Sequence, residues 1–172
     1  MPATDPQLSG FLDLSAALTG FSLHELRGTG QGELYFATAR DMAGAAAVAD
    51  MLAAFAACDT GDTHEAMDRH LRFCILSHAR FGPLSRNLIK MWYVGTWHCL
   101  PRDWHEAFGG NSADHDQVPS PTSYTEGLLW PAIGANPPGA KPFGYGMWAN
   151  PPRVTHPQTP RDTDLRKGES HV

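Results

Sequence analysis

A group of potential metal ligands lies between positions 98 and 116 of the 172-residue sequence. Imidazole, thiolate and carboxylate groups are the side chains that hold zinc in proteins, and this stretch is rich in all three. Loop ligands can converge on one ion, but the spacing matches no known metal-binding motif. Two interpretations therefore remain open, a metal site or polar loop residues in contact with water, and the second is favoured. The residues concerned are His98, Cys99, Asp103, His105, Glu106, Asp114, His115 and Asp116.

Other catalytic patterns are absent from the sequence. The stretch THEAMDRH looks like a zinc-protease helix, but that helix needs histidines four residues apart, and His64 and His70 are six apart. There is no GxSxG, and Ser77 beside His78 in a predicted helix does not make a nucleophile–base pair. No GxGxxG follows a predicted strand, so the chain shows no dinucleotide fold. These observations favour a protein without a reaction centre of its own.

The three cysteines add little to the predicted chemistry. Cys58 follows an Ala-rich run and Cys74 lies in the apolar LRFCIL, so both are predicted to be buried thiols. An odd number of cysteines cannot close fully into internal disulfides, and none of them forms a CxxC pair. Only Cys99, beside His98, is retained as a ligand or an exposed thiol.

A second candidate site is aromatic and lies in and near a C-terminal arm, residues 136–152. The arm contains AKPFGYGMWANPP, whose prolines and glycines disfavour any helix or strand that could bury its own rings. Two interpretations remain open. The arm either folds back over its own domain or docks on another protein, where Trp and Tyr dominate the binding energy. The rings in question belong to Trp130, Phe143, Tyr145 and Trp148.

The elements before the arm are predicted to be helical. In FLDLSAAL, Phe11, Leu14 and Leu18 recur on one face, and Gly20 ends the helix. Ser22 and Glu25 have the spacing of a capping box. The glycine-rich GTGQG at 28–32 lacks the GK[ST] ending of a phosphate loop and no strand precedes it, so it predicts a turn.

Further helices are predicted up to Trp97. The Ala-rich segment 33–58 is helix-forming, and Pro83 fits the first turn of a later helix. The segment after Trp97 is irregular, and Ser123 with Glu126 predicts a second capping box before a short helix through GLLW. Two helices are expected to bury a stripe each: Met67, Leu71, Cys74, Ile75 and His78 in the first, and Leu84, Leu88, Met91, Trp92 and Gly95 in the second.

Together these patterns predict an all-α fold, a small helical bundle with a long irregular Pro/Gly/aromatic C-terminal arm. The predicted organisation is a helical domain at 1–135, an extended partner-docking arm at 136–152 and a tail at 153–172. The tail is polar and has the composition of a disordered segment.

Composition excludes several kinds of partner. The formal net charge of −5 argues against nucleic acid, which requires a basic surface. No run of about 18 apolar residues exists, so direct membrane insertion is not expected. The N-terminal MPATDPQLSG shows no export signal, which predicts a cytoplasmic location, or the periplasmic side of the inner membrane if the chain is exported with a partner.

Three stretches resemble the small (gamma) subunit of bacterial FAD-dependent sugar and polyol dehydrogenases, the sorbitol dehydrogenase small-subunit family. The first is FLDLSAALTGF, with its Leu-Ser-x-x-Leu-Thr-Gly pattern. The second is NLIKMWYVGTW, an apolar run into Trp-Tyr-x-Gly. The third is SYTEGLLW, followed by the arm FGYGMWANPP. They occur in the order of the family and bracket residues 11–152.

The resemblance implies a non-catalytic helical partner of a large flavoprotein of the glucose–methanol–choline type. FAD would then belong to the large subunit and not to this chain, and a cytochrome c subunit often accepts the electrons. Relatives often carry a cysteine in the arm that can bond to the large subunit. Here no cysteine follows Cys99 and Lys141 lies near that place, so docking is expected to be non-covalent. The expected partner contacts are Trp92, Tyr93, Trp97, Tyr124, Trp130, Phe143, Tyr145, Trp148, Pro151 and Pro152.

Overall fold

A computed structural model describes residues 5–57 and 64–138 of the chain. Its regular elements confirm the predicted all-α fold, and within these residues the one β-type pairing is an isolated bridge between Trp97 and Gln117. The elements are α1 (Pro6–Thr19), α2 (Leu23–Gly28), α3 (Gly32–Ala43), α4 (Ala45–Ala56), α5 (His64–His70), a π-helical segment (Leu71–Leu76), α6 (Phe81–Val94), α7 (Arg102–Phe108), α8 (Pro121–Thr125) and α9 (Leu129–Ala132).

The predicted ends of the first two helices are confirmed. Gly20 ends α1 in the left-handed region with φ 76°, and its N–H donates to the Ala16 carbonyl at 2.9 Å. Ser22 and Glu25 form the capping box of α2: the Ser22 N–H donates to the Glu25 carboxylate at 2.8 Å. Hydrogen bonding from Ser22 lowers the pKa of Glu25. The predicted turn in GTGQG is confirmed for residues 29–31, while Gly28 ends α2 and Gly32 begins α3.

The Ala-rich segment is two helices rather than one. Gly44 separates α3 from α4 with φ 91° and ψ 137°, values outside the helical region that favour glycine. The break lets α3 and α4 pack against each other, so that Ala43 and Ala47 on either side of it are both buried. Helix propensity could not predict this break, because one glycine within a helical pattern costs only about 1 kcal/mol.

The predicted stripe of the following helix is partly wrong. Leu71 and Ile75 are buried, but Cys74 and His78 are exposed. The physical reason is the π-helical segment, in which the Ser77 N–H donates to the Arg72 carbonyl five residues back at 3.0 Å. The wider turn rotates the face that an α-helical repeat would predict. Cys58 and the predicted caps at Asp62 or Thr63 lie outside the described residues.

Helix α6 is the centre of the core, and the stripe predicted for it is confirmed. Trp92 contacts Phe11 of α1 with ring centroids 6.4 Å apart, and Tyr35 of α3 edge-on at 4.9 Å. The buried side of α6 includes Leu84, Leu88, Met91, Trp92 and the following Gly95. Burial of these large side chains is the main stabilising contribution to the fold.

The predicted capping box at Ser123 is displaced by three residues. Ser120 is the cap of α8: its side chain accepts from the Ser123 N–H at 3.1 Å, and the Ser123 hydroxyl accepts from the Ser120 N–H at 3.2 Å. Pro121 then occupies the first turn, where its missing N–H costs nothing. The GLLW stretch does not continue this helix; its Leu129 begins the separate α9.

The chain divides into two compact units, one ending at Leu129 and one beginning at Trp130. The hydrophobic core belongs to the first unit, from Phe11 to Leu128. In the described part of the second, the Ala135 N–H donates to the Trp130 carbonyl at 2.9 Å. Among the described residues, no helix combines the length and hydropathy that crossing a membrane requires.

Candidate functional site

The segment after α6 is ordered by contacts with the bundle and with itself. Trp97 and Gln117 exchange two backbone hydrogen bonds of 2.8 and 2.9 Å, which closes residues 97–117 into a loop. The Asn87 side chain of α6 fixes the start of the loop: its oxygen accepts from the His98 N–H at 2.9 Å, and its amide donates to the His98 carbonyl. Within the loop, α7 carries His105.

Asp114 is the centre of this loop. Its side chain is only 1 % exposed. One carboxylate oxygen accepts from the Trp97 indole N–H at 2.7 Å. The other accepts from the Leu100 backbone N–H at 2.7 Å and lies 2.9 Å from His105 Nε2. A buried carboxylate needs such partners to offset its lost hydration, so Asp114 is a structural element and not a solvated loop residue.

Cys99 completes a cluster of three different ligand types. Its Sγ lies 3.4 Å from the carbonyl oxygens of Leu100 and Asp114. One ligand atom each of Cys99, His105 and Asp114 lies within 4.8 Å of the other two. Cys99 lies in the irregular segment before α7, His105 lies in α7, and Asp114 lies in the irregular segment after it. The cluster therefore depends on the closure of the loop at 97–117.

The electrostatics of the cluster do not suit a cysteine nucleophile. Burial raises the pKa of the Cys99 thiol, and the negative charges of Asp114 and Asp116 raise it further. A nucleophilic cysteine needs the opposite, a cationic neighbour that favours the thiolate. Since His105 Nε2 is occupied by Asp114, the arrangement is better suited to holding a cation than to acyl transfer.

The other predicted ligands of this stretch have separate partners. Asp116 accepts from the Cys99 N–H at 2.6 Å, a bond that lowers the pKa of Asp116, and it lies 3.7 Å from His98. Asp103 accepts from the next backbone N–H in α7. Glu106 pairs with Arg102 at 2.8 Å. His115 Nδ1 lies 2.7 Å from the Ala113 carbonyl. The structure therefore brings together three of the eight predicted ligands.

Two of the predicted partner contacts are core residues. Trp92 is 1 % exposed and Trp97 is fully buried. Trp92 packs against Phe11 and Tyr35, whereas Trp97 lies under the loop that Asp114 closes. Neither ring reaches the surface of the described chain, so their expected role as partner contacts is corrected to packing of the bundle and its loop.

The remaining predicted partner contacts differ in exposure. Tyr93 is half-buried, and its hydroxyl donates to the Thr19 carbonyl at 2.9 Å. Tyr124 is 44 % exposed, and Trp130 is half-buried. Five of the predicted contacts lie outside the described residues: Phe143, Tyr145, Trp148, Pro151 and Pro152.

Two residues that shape the cluster were missed by the sequence analysis. The Asn87 side chain forms two hydrogen bonds with the backbone of His98, but an Asn in a predicted helix gives no indication in the sequence of such a contact. Gly110 packs against the His105 ring, and a Cβ there would lie 2.6 Å from Nδ1. Its φ of 138° also disfavours other residues, and the GG pair at 109–110 was the available signal. Comparisons of the chain with protein-family models, curated proteins and solved structures found no match.

Proposed function

We propose that this chain is a non-catalytic small subunit that assembles with a large FAD-dependent sugar or polyol dehydrogenase subunit of the glucose–methanol–choline type. It stabilises that subunit and helps it mature. FAD belongs to the large subunit, and a cytochrome c subunit completes the electron path where one is present. The proposal rests on the resemblance of three stretches, and its structural support is that those stretches pack together.

Contacts among the three stretches involve the residues that define the resemblance. Trp92 stacks on Phe11 at 6.4 Å. The Tyr93 hydroxyl bonds to Thr19, and the Leu128 N–H donates to the Trp92 carbonyl at 2.9 Å. Residues more than 70 positions apart are therefore joined through the Leu-Thr-Gly and Trp-Tyr-x-Gly patterns. Such joint packing is expected if the patterns encode one shared framework.

The framework carries apolar surface at the end of α6. Val94 is 43 % exposed and Tyr124 is 44 % exposed. The Tyr124 backbone N packs against Gly95, which follows Val94 directly, so the two side chains belong to one end of the bundle. Exposed aromatic residues are enriched at protein–protein contacts. Tyr124 is an exposed aromatic residue within the third of the three stretches, and we therefore assign it to contact with the large subunit.

The test is co-expression with the glucose–methanol–choline-type flavoprotein encoded nearest to this chain in the same genome. We expect the two chains to co-purify, and the large subunit alone to be poorly soluble or poor in flavin. Tyr124→Ala should weaken the complex by roughly thirtyfold, the effect of losing about 2 kcal/mol at an interface. Phe73→Ala is the matched control, because Phe73 is 71 % exposed but lies on the π-helical segment, outside the three stretches.

Two results would contradict the proposal. One is a large subunit that is soluble, fully flavinylated and equally active without this chain. The other is dehydrogenase activity of this chain alone when flavin is supplied. Trp148→Ala separates the two interpretations of the arm: partner docking predicts a weaker complex, whereas an arm that covers its own domain predicts a lower melting temperature of the free chain.

A further inference from the structure

We propose that Cys99, His105 and Asp114 bind a zinc ion, with the fourth coordination position open to water. This inference goes beyond the proposed subunit function, which assigns no cofactor to this chain. It rests on the convergence of sulfur, nitrogen and oxygen ligands from three parts of the loop at 97–117. These are the three ligand types that zinc accepts in proteins.

The distances are close to those of a zinc site. With bonds of about 2.0–2.3 Å, the ligand atoms of a tetrahedral site lie about 3.3–3.8 Å apart. Here all three atoms lie within 4.8 Å of one another. The longest separation must therefore contract by no more than about 1.5 Å. The His105–Asp114 pair, now 2.9 Å apart, must open by several tenths of an ångström to admit the ion between them.

Two of the three ligands are already held in place. Asp114 is oriented by the Trp97 indole and the Leu100 backbone N–H, which leave lone pairs on both carboxylate oxygens. The His105 ring is backed by Gly110 and meets the Trp104 ring edge-on at 5.4 Å. Outer contacts that orient ligands are a regular feature of metal sites. Cys99 is an exposed side chain, and its sulfur supplies most of the contraction toward the other two ligands.

Charge and proton balance are consistent with a divalent cation. Two carboxylates lie beside Cys99: Asp116 accepts from its backbone N–H at 2.6 Å, and Asp114 belongs to the same ligand cluster, so the site concentrates negative charge before any cation binds. On binding, the thiol releases its proton to solvent and forms the Zn–S bond. His105 Nε2–H faces the Asp114 carboxylate in the free chain, so zinc binding also requires a change of tautomer: the Nε2 proton is exchanged with solvent and Nδ1 takes one up, which leaves the Nε2 lone pair for zinc. The ion thereby replaces the hydrogen bond between His105 and Asp114.

The experiment uses the full chain after treatment with EDTA, kept reduced, and titrated with zinc by calorimetry and with cobalt by absorption spectroscopy. We expect about one zinc per chain and a sulfur-to-cobalt charge-transfer band. Cys99→Ser should remove the band and weaken binding at least tenfold. Cys74→Ser and His115→Asn are the matched controls, an exposed thiol and an exposed imidazole outside the cluster.

The outcomes distinguish the proposed site from binding at the surface. Loss of the band in Cys99→Ser with both controls unchanged supports the site, provided that circular dichroism shows an intact fold. Absence of a charge-transfer band in the wild-type chain overturns it. Binding that survives Cys99→Ser but falls in His115→Asn also overturns it, because the metal would then be held by surface histidines.

Discussion

Replacing Asp114 by Asn tests whether this carboxylate holds the loop at 97–117. The asparagine oxygen can still accept from the Trp97 indole. Its NH₂ group, however, would face the Leu100 N–H, which is also a donor. The substitution would also remove the negative charge that attracts His105. Hydrogen bonds to a charged group contribute about 1.5–3 kcal/mol each, and two are lost here. We expect the free energy of unfolding to fall by at least about 3 kcal/mol, and the melting temperature by at least roughly 6 °C.

The measurement is urea unfolding followed by tryptophan fluorescence in the presence of EDTA, so that metal does not contribute. Asp114→Ala should cost more than Asp114→Asn, because it also leaves the Trp97 indole without its acceptor. Asp116→Asn is the control two residues away, and it should cost less because that side chain is 67 % exposed. The reasoning is refuted if Asp114→Asn lies within about 0.5 kcal/mol of wild type, the usual range of surface substitutions.

Two further predictions concern a helix end and a thiol. Gly20 and Gly95 end helices with similar φ of 76° and 72°, but only at Gly95 would a Cβ meet backbone, the Ser123 carbonyl. In thermal unfolding, Gly20→Ala should therefore lower the free energy of unfolding by about 1–2 kcal/mol, and Gly95→Ala should lower it by clearly more. Equal losses in the two variants would contradict the close packing of Gly95 against the Ser123 backbone. The rate at which iodoacetamide alkylates Cys99 can be followed against pH by mass spectrometry in a Cys74→Ser background. The midpoint of this rate profile should lie above that of an unperturbed thiol, because burial and Asp114 raise the pKa of Cys99. A midpoint at or below about 8.5 would contradict this.

Local signals explain why much of the bundle could be predicted. The end of α1 at Gly20 and the Ser22–Glu25 capping box depend on residues within four positions of each other. The buried face of α6 follows from a helical repeat that begins near Pro83. Such patterns are visible in sequence because neighbouring residues alone determine them.

Sequence patterns are least informative where a single backbone choice changes the repeat. Gly44 ends one helix and starts another, and the π-helical segment rotates Cys74 to the surface. Ser120 rather than Ser123 caps α8, because Pro121 is the better first residue of that helix. In each case the observed local structure and the predicted one differ by only a small free energy. Tertiary packing therefore decides which of the two forms.

Trp97 shows why the candidate site could be predicted in composition but not in arrangement. It lies two residues beyond Gly95, where α6 has ended, so a helical repeat no longer determines which way its ring faces. Its burial comes from the bridge to Gln117 and from Asp114, 17 positions later in the chain. The same closure brings Cys99 and His105 to Asp114. The sequence analysis assigned Trp97 to a partner and favoured solvent contact for Asp114. In the structure the two residues instead contact each other. The loop that this contact closes is what makes three separate side chains a potential metal site.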